Sequence, residues 1–303
     1  MHPWPPLRNP IRIVKTRQAG RFSLHRTLLV SVTVAVALVL APGVQADEGY
    51  LSTGESVGLG LTSAGIFGLG HLARRASHGT PARWSTPPSF DASISRWLGG
   101  TPKPGKRNFL DNNFGSAITT ISAATLVLTT DVAYPRNDRT KDILQNQFVF
   151  FAGAYTNKGV TDIFKGLFRR QRPIGYFASE ILEEEGKANN SGRNHAFFSG
   201  HASSAFYAMS FLNLHLRGTM RREMSSGDFR DWSWLPPLVT YGWSSFVAYS
   251  RIQAYQHYLT DVLAGAIAGT VIGLLYYQLV DDVRPAVESG APIQFKLHFG
   301  IDI

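Results

Sequence analysis

The sequence contains no cysteine among its 303 residues. This absence excludes disulfide bonds, thiolate nucleophiles and cysteine-based metal sites. We therefore expect the folded chain to rely on its core for stability. The sequence also shows no internal repeat, no low-complexity tract and no sign of a second-domain linker after residue 105.

Acidic residues are absent from the first 46 positions. The basic residues there are Arg8, Arg12, Lys15, Arg17, Arg21 and Arg26. This basic stretch, an apolar run at 28–41 and the small residues around Val44-Gln45-Ala46 predict a signal peptide over 1–46. An uncleaved membrane anchor is the alternative, but the run is short for a span and ends in Pro42-Gly43. We expect an exported protein of the periplasm or cell envelope.

The net charge of +9 gives little support to nucleic-acid binding, because it is concentrated at the N-terminus. Without the six basic residues of the predicted signal peptide, the net charge of the remaining chain is +3, which is ordinary for a protein surface. We therefore expect no nucleic-acid partner.

Long uncharged runs are scarce. Residues 262–280 (VLAGAIAGTVIGLLYYQLV) are long enough to span a membrane, whereas the other apolar stretches contain many threonine, serine and asparagine residues. The mean hydropathy of −0.06 is low for a protein with six spans. The sequence therefore leaves membrane embedding open.

The pattern after residue 113 is helical, with little alternation of the strand type. It predicts helices over 114–130, 143–168, 201–216, 238–251 and 258–280. Five glycines weaken a further helix prediction at 56–73. The expected fold is an all-α bundle of five to six core helices over 114–281. It follows a segment (47–113) with one helix and a Pro/Gly-rich surface connection at 74–108, and precedes a tail at 282–303.

Lys165 and Arg172 stand seven residues apart before Pro173. We interpret them as two cations on one helical face, with the proline ending the helix. Such a pair suits a phosphate, although a solvated basic face is an equally good interpretation of this stretch alone.

Residues 198–204 read FSGHASS, which favours a helix N-terminus capped by Ser199 and followed by Gly200 and His201. The simplest interpretation is a cap alone. The functional one is an anion site, in which backbone N–H groups face a phosphate and His201 moves a proton.

The third motif is Ser250-Arg251 followed by His257 and Asp261. The last two are i,i+4 neighbours if they lie on one helix, so that the carboxylate could fix the imidazole tautomer. A local pair that caps a helix start is the alternative.

Together the three motifs resemble the type 2 phosphatidic acid phosphatase superfamily, which includes vanadium haloperoxidases and bacterial non-specific acid phosphatases. The family signature reads K-x6-RP, PSGH and SR-x5-H-x3-D, and each internal spacing is kept here. Phe198 replaces the usual proline at a position that shapes the turn and carries no reacting atom. The resemblance covers about residues 114–281.

The resemblance implies a role for each motif residue. Lys165, Arg172 and Arg251 would hold the phosphoryl oxygens, together with Ser199 and Gly200. His257 would be the nucleophile that forms a phosphohistidine, and Asp261 would orient it. His201 would protonate the leaving oxygen and then activate water. No metal or other cofactor is expected, and vanadate should inhibit.

The expected function is an exported, metal-independent phosphohydrolase acting on a lipid phosphate or pyrophosphate, with the membrane as a partner. An apolar groove between helices 114–130 and 262–280 would take the lipid chains. Alternatively, the small residues of these two helices would allow the helices to pack closely. Alternatives are a vanadium haloperoxidase, with vanadate as its cofactor, and a soluble non-specific acid phosphatase. The non-enzymatic alternative is an envelope scaffold on an inactive fold. The oligomeric state is not predicted.

Overall fold

The computed structural model describes residues 50–99, 114–177 and 194–281. Regular structure in these ranges is helical, apart from one isolated bridge, so the all-α prediction is confirmed. The helices are α1 (Thr53–Ala76), α2 (Ser89–Leu98), α3 (Phe114–Ala133), α4 (Arg139–Phe168), α5 (Pro173–Tyr176), α6 (Gly200–Glu223), α7 (Ser226–Trp232), α8 (Leu235–Gln253) and α9 (Leu259–Asp281). The predicted signal peptide and tail lie outside the described residues.

Helix α1 forms despite its glycines because its start is capped and Gly70 serves close packing against α4. Ser52 and Glu55 form a reciprocal capping box at the first turn. A Cβ on Gly70 would lie 2.3 Å from the carbonyl oxygen of Gly159 in α4. The two helices therefore approach closely enough for backbone contact, and the cost of glycine in a helix is offset by this packing.

Helix α6 lies at the centre of the bundle and packs against α3, α4, α8 and α9. A Cβ on Gly265 or Gly269 of α9 would lie 2.6 or 2.1 Å from the carbonyl oxygens of Ser199 and Ser203. The small residues of α9 thus serve close packing on α6, and the expected lipid groove between α3 and α9 was wrongly placed. A cavity of about 270 Å³ instead lies among α1, α3, α4 and α6.

The segment 74–108 is more than the predicted surface connection, because it contains α2. The buried face of α2 includes Asp91, Ala92 and Ser95. Upstream of α2, the N–H of Arg83 donates to the carbonyl of Arg169 (3.1 Å), and that of Gln171 donates to the carbonyl of Trp84 (3.0 Å). The described part of this segment is therefore packed against the first motif.

Among the described residues, three helices are long and apolar enough to cross a membrane: Thr53–Ala76, Ser116–Ala133 and Leu259–Val280. The motif residues lie at one end of the bundle. Lys165 is near the end of α4, Ser199 precedes α6, Arg251 is near the end of α8 and His257 precedes α9.

Candidate active site

Helix α4 ends at Phe168, as predicted from the helical pattern, and not at Pro173, as the interpretation of the first motif required. Arg169 adopts a left-handed conformation (φ 43°, ψ 49°), and its N–H donates to the carbonyl of Lys165 (3.2 Å). Arg172 then precedes the short helix α5, which Pro173 begins. The prediction of one continuous helical face was wrong, yet the fold still brings Lys165 and Arg172 within electrostatic range.

The second motif is both a helix cap and part of the site. Ser199 is buried and its hydroxyl oxygen accepts from the N–H of Ala202 (3.4 Å). A Cβ on Gly200 would lie only 3.1 Å from Nζ of Lys165, so the ammonium reaches the first turn of α6. His201 is half-buried in the same turn. The cap interpretation is confirmed, and it places His201 in the helical turn that the ammonium of Lys165 reaches.

The third motif forms a tight turn between α8 and α9. The N–H groups of Gln256 and His257 both donate to the carbonyl of Arg251, at 3.1 and 3.2 Å. Because α9 begins at Leu259, His257 and Asp261 do not share a helix, and that prediction was wrong. The distance from Nδ1 of His257 to the nearer oxygen of Asp261 is 3.8 Å, which is longer than a hydrogen bond.

His257 is buried, and its surroundings keep the imidazole neutral. Burial lowers its pKa well below the usual 6.5, and the neighbouring cations Arg172, Lys165 and Arg251 lower it further. A hydrogen bond to the main chain of Ala196 acts in the opposite direction. A neutral imidazole retains the lone pair that a nucleophile needs.

The three motif cations converge on the same space. Burial lowers the pKa of Lys165 to about 7, with Arg172 as the next cause. Burial also lowers the pKa of Arg172 to about 10, with a further contribution from Arg251. Like charges held this close repel one another, and a bound anion would relieve that repulsion. We refer to Lys165, Arg172 and Arg251 as the cation cradle.

Arg170 is a site residue that the sequence analysis missed. Its guanidinium is buried and donates to the carboxylates of Asp261 (2.6 Å) and Asp91 (2.7 Å). It lies between the rings of Trp84 and Tyr258, 4.0 and 4.4 Å from their centroids. Asp261 also accepts from the N–H of Tyr258 (2.9 Å) and so caps the start of α9. Asp261 therefore anchors Arg170 and the turn behind His257.

The loop before α6, residues 194–199, packs around Arg170 and the first motif. The N–H of Ala196 donates to the carbonyl of Arg170 (2.9 Å), and Nε2 of His195 lies 2.9 Å from the hydroxyl oxygen of Ser77. His195 is buried and matches none of the three motifs. Phe198, which replaces the family proline, packs on Phe164 with ring centroids 5.2 Å apart. Aromatic packing and hydrogen bonds thus position this loop.

The donor groups of the site suit an anion. Within 50–99, 114–177 and 194–281, no three histidine or carboxylate side chains are grouped so that they could hold a metal ion. The cation cradle and the first turn of α6 offer N–H donors for the oxygens of a tetrahedral anion such as phosphate.

Residues 147–285 match the model of the PAP2 superfamily. This segment carries all three motifs, so the resemblance is confirmed over these residues. Relatives include phospholipid phosphatase 1 of Rattus norvegicus, 30% identical over 160 residues that make up 46% of this chain and 54% of the relative. A probable diacylglycerol pyrophosphate phosphatase 1 of Schizosaccharomyces pombe is 32% identical over 83 residues, 27% of this chain and 29% of the relative.

The chain spans about half the length of the first of these relatives. A solved structure, the transmembrane PAP2-type phosphatidylglycerolphosphate phosphatase of Bacillus subtilis, is 16% identical with a TM-score of 0.44. The match covers 74% of this chain and 98% of the bacterial one.

Proposed function

We propose that the protein is a phosphatase that hydrolyses a lipid phosphate or lipid diphosphate through a phosphohistidine intermediate. The observation that carries the proposal is a buried, neutral His257 surrounded by the cation cradle at the first turn of α6. The named activities of the relatives, phospholipid and diacylglycerol pyrophosphate phosphatases, agree with it.

In the first step, the lone pair of His257 attacks phosphorus while the bond from phosphorus to the leaving oxygen breaks. His201 donates a proton to that oxygen, so the product departs as a neutral alcohol or a protonated phosphate. In the second step, His201 takes a proton from water, the water oxygen attacks phosphorus, and the phosphorus–nitrogen bond breaks. His257 is thereby restored and inorganic phosphate is released.

The cation cradle stabilises the charge that spreads over the three phosphoryl oxygens in each transition state. Gly200 keeps the space in front of Nζ of Lys165 open, because a Cβ there would lie 3.1 Å from that atom. This arrangement supplies the positive charge for the chemistry from side chains, so we propose that no metal ion takes part.

Exposed apolar surface supports a membrane location and a lipid substrate. Leu263, Ile267 and Val271 form an exposed stripe along α9, and Leu61 and Leu72 are exposed on α1. Both helices are long enough to span a bilayer. We propose that these faces contact lipid and that the protein is exported, with its site at the periplasmic surface of the membrane.

The proposal is tested by measuring phosphate release from phosphatidate in detergent micelles by the full chain. Activity should persist in EDTA, and orthovanadate should inhibit by occupying the cradle. His257→Ala should abolish turnover and the alkali-stable phosphoenzyme, whereas His71→Ala, an exposed histidine on α1, should retain both. Halide oxidation that requires vanadate, or full turnover by a folded His257→Ala variant, would overturn the proposal.

A further inference from the structure

Arg74, in the last turn of α1, lies next to the cation cradle but outside the segment that matches the PAP2 superfamily. Its Nη1 donates to the carboxylate of Asp162 (3.1 Å), which is buried, while the arginine side chain stays 42% exposed. Lys158, one turn earlier on α4, pairs with the same carboxylate and is also accessible. The three side chains form a group with a net charge of +1, which we call the outer cluster.

Helix packing fixes the outer cluster beside the cradle. A Cβ on Gly166 would lie 2.7 Å from the carbonyl oxygen of Ala73, so the last turn of α1 touches the end of α4. Asp162 and Lys165 stand three residues apart on α4 and therefore share a face of that helix. The contact places Arg74 over the same helical turns that carry Lys165.

The charges of the two groups are coupled. Arg74 lowers the pKa of Lys165, and after burial it is the largest cause that lowers the pKa of Arg172. The charges that lower the pKa of His257 most are those of the cradle itself. Arg74 thus adjoins the cradle on the side of Lys165 and Arg172.

We propose that the outer cluster is a second anion subsite, which binds a phosphate group of the substrate other than the one held in the cradle. This inference rests on the proposed function. A guanidinium has five N–H donors, so Arg74 can keep Asp162 as a partner while it donates to a phosphate. Asp162 holds the arginine in place and limits the net charge of the subsite.

In a diphosphate, the terminal phosphoryl group would occupy the cradle and the inner phosphate would contact Arg74. The bond between the terminal phosphorus and the bridging oxygen breaks, and the inner phosphate leaves with that oxygen and the proton from His201. Arg74 neutralises the charge that develops on this leaving group. A phosphodiester linked through glycerol to the reacting phosphate is the second source of the same chemistry.

The test compares three substrates with the same two acyl chains: phosphatidate, diacylglycerol pyrophosphate and phosphatidylglycerol phosphate. The kcat/KM of each is measured for the full chain and for Arg74→Gln. Loss of a charge-assisted contact should lower kcat/KM for a substrate with two phosphates about tenfold more than for phosphatidate. Arg75→Gln removes a neighbouring exposed arginine and should leave all three values unchanged.

The substrates separate the outcomes. A selective loss on the diphosphate identifies an adjacent phosphate as the ligand, and a selective loss on phosphatidylglycerol phosphate identifies the phosphodiester. An equal loss on all three substrates would overturn the subsite while leaving the proposed phosphatase in place. Failure of the unmodified protein to hydrolyse any of them would instead overturn the proposed function.

A second variant keeps the test valid if Arg74→Gln does not fold. Arg74→Lys retains a partner for the buried Asp162 but lacks the second arm of the guanidinium fork. It should show a smaller loss with the same selectivity. A folded lysine variant that loses activity equally on all three substrates would also contradict the subsite.

Discussion

Lys165 and His257 have pKa values shifted in the same direction by the same surroundings. Burial disfavours the charged form of each, and the neighbouring arginines disfavour an additional positive charge. The consequences for the two residues differ. His257 stays neutral across the physiological pH range, whereas Lys165, with a pKa of about 7, changes charge within it.

We predict that kcat/KM falls as the pH rises through about 7, because the unliganded enzyme then loses the charge on Lys165. Below that pH the ammonium is protonated and the cradle carries its full charge. Lys165→Arg keeps the charge at higher pH and should shift the alkaline limb upward, even if its maximal rate is lower. The measurement is the pH profile of kcat/KM from 5.5 to 9 for both proteins. Superimposable alkaline limbs would show that another group controls this limb.

The buried Arg170 gives a second prediction at the same scale. Asp91→Asn removes one of its two carboxylate partners and weakens the contact to Thr260, whose hydroxyl donates to Asp91 (2.6 Å). Breaking one side of a buried ion pair should cost about 3 kcal/mol of unfolding free energy. Thermal unfolding in detergent measures this cost. Asp231→Asn, at an exposed carboxylate, is the matched control, and an equally small shift for both variants would contradict the prediction.

The sequence motifs predicted which residues meet in the site, because they follow a family signature at fixed spacing. Lys165, Gly200 and His257 do come together although they lie on separate segments. The partners that support them were not predictable. Asp91 reaches Arg170 from 79 positions away, and Arg74 reaches Asp162 from 88, with no local pattern to mark either contact.

The sequence predicted the long helices, because their apolar residues recur with helical spacing. It missed the short helix α2, which forms because of tertiary contacts. Helix α8 is longer than predicted by a few residues at its ends, whereas α6 continues to Glu223, well past its predicted end at 216. Helix α2 is short and lies in a Pro- and Ser-rich stretch, so only its buried face reveals it. The end of α4 at Phe168 agrees with the predicted helix 143–168. The pairing of the next residues with 83–84 was not predicted, because no feature of α4 itself indicates it.

Contact between α6 and α9 should depend on the absence of a side chain at Gly269. A Cβ there would lie 2.1 Å from the carbonyl oxygen of Ser203, so Gly269→Ala forces the backbones apart. We expect a loss of about 2 to 3 kcal/mol, which exceeds the gain in helix propensity. Gly58→Ala is the control, because a Cβ at that exposed position in α1 meets nothing within 4 Å and should keep or raise Tm. Equal Tm values for the two variants would show that α9 can shift freely on α6.

At the scale of the whole molecule, the direction in which each helix runs determines on which face of the membrane the site lies. The site lies at the C-terminal ends of α1, α4 and α8 and at the N-terminal ends of α6 and α9. If α1 crosses the bilayer, its first residues and the site are on opposite faces. Signal cleavage near Asp47 and a periplasmic site are therefore compatible only if α1 does not cross completely.

The absence of cysteine allows the orientation to be measured directly, because each introduced thiol is the only one in the chain. Ser85 is exposed beside Trp84 at the site end, and Ser226 is exposed at the start of α7, at the opposite end. A periplasmic site predicts that a membrane-impermeant maleimide labels Ser85→Cys in intact cells, and that Ser226→Cys is labelled only after lysis. The reverse pattern would place the site in the cytoplasm. The mass of the purified chain, taken from the same samples, shows whether residues 1–46 were removed. Together with the labelling pattern, it shows whether α1 crosses the bilayer.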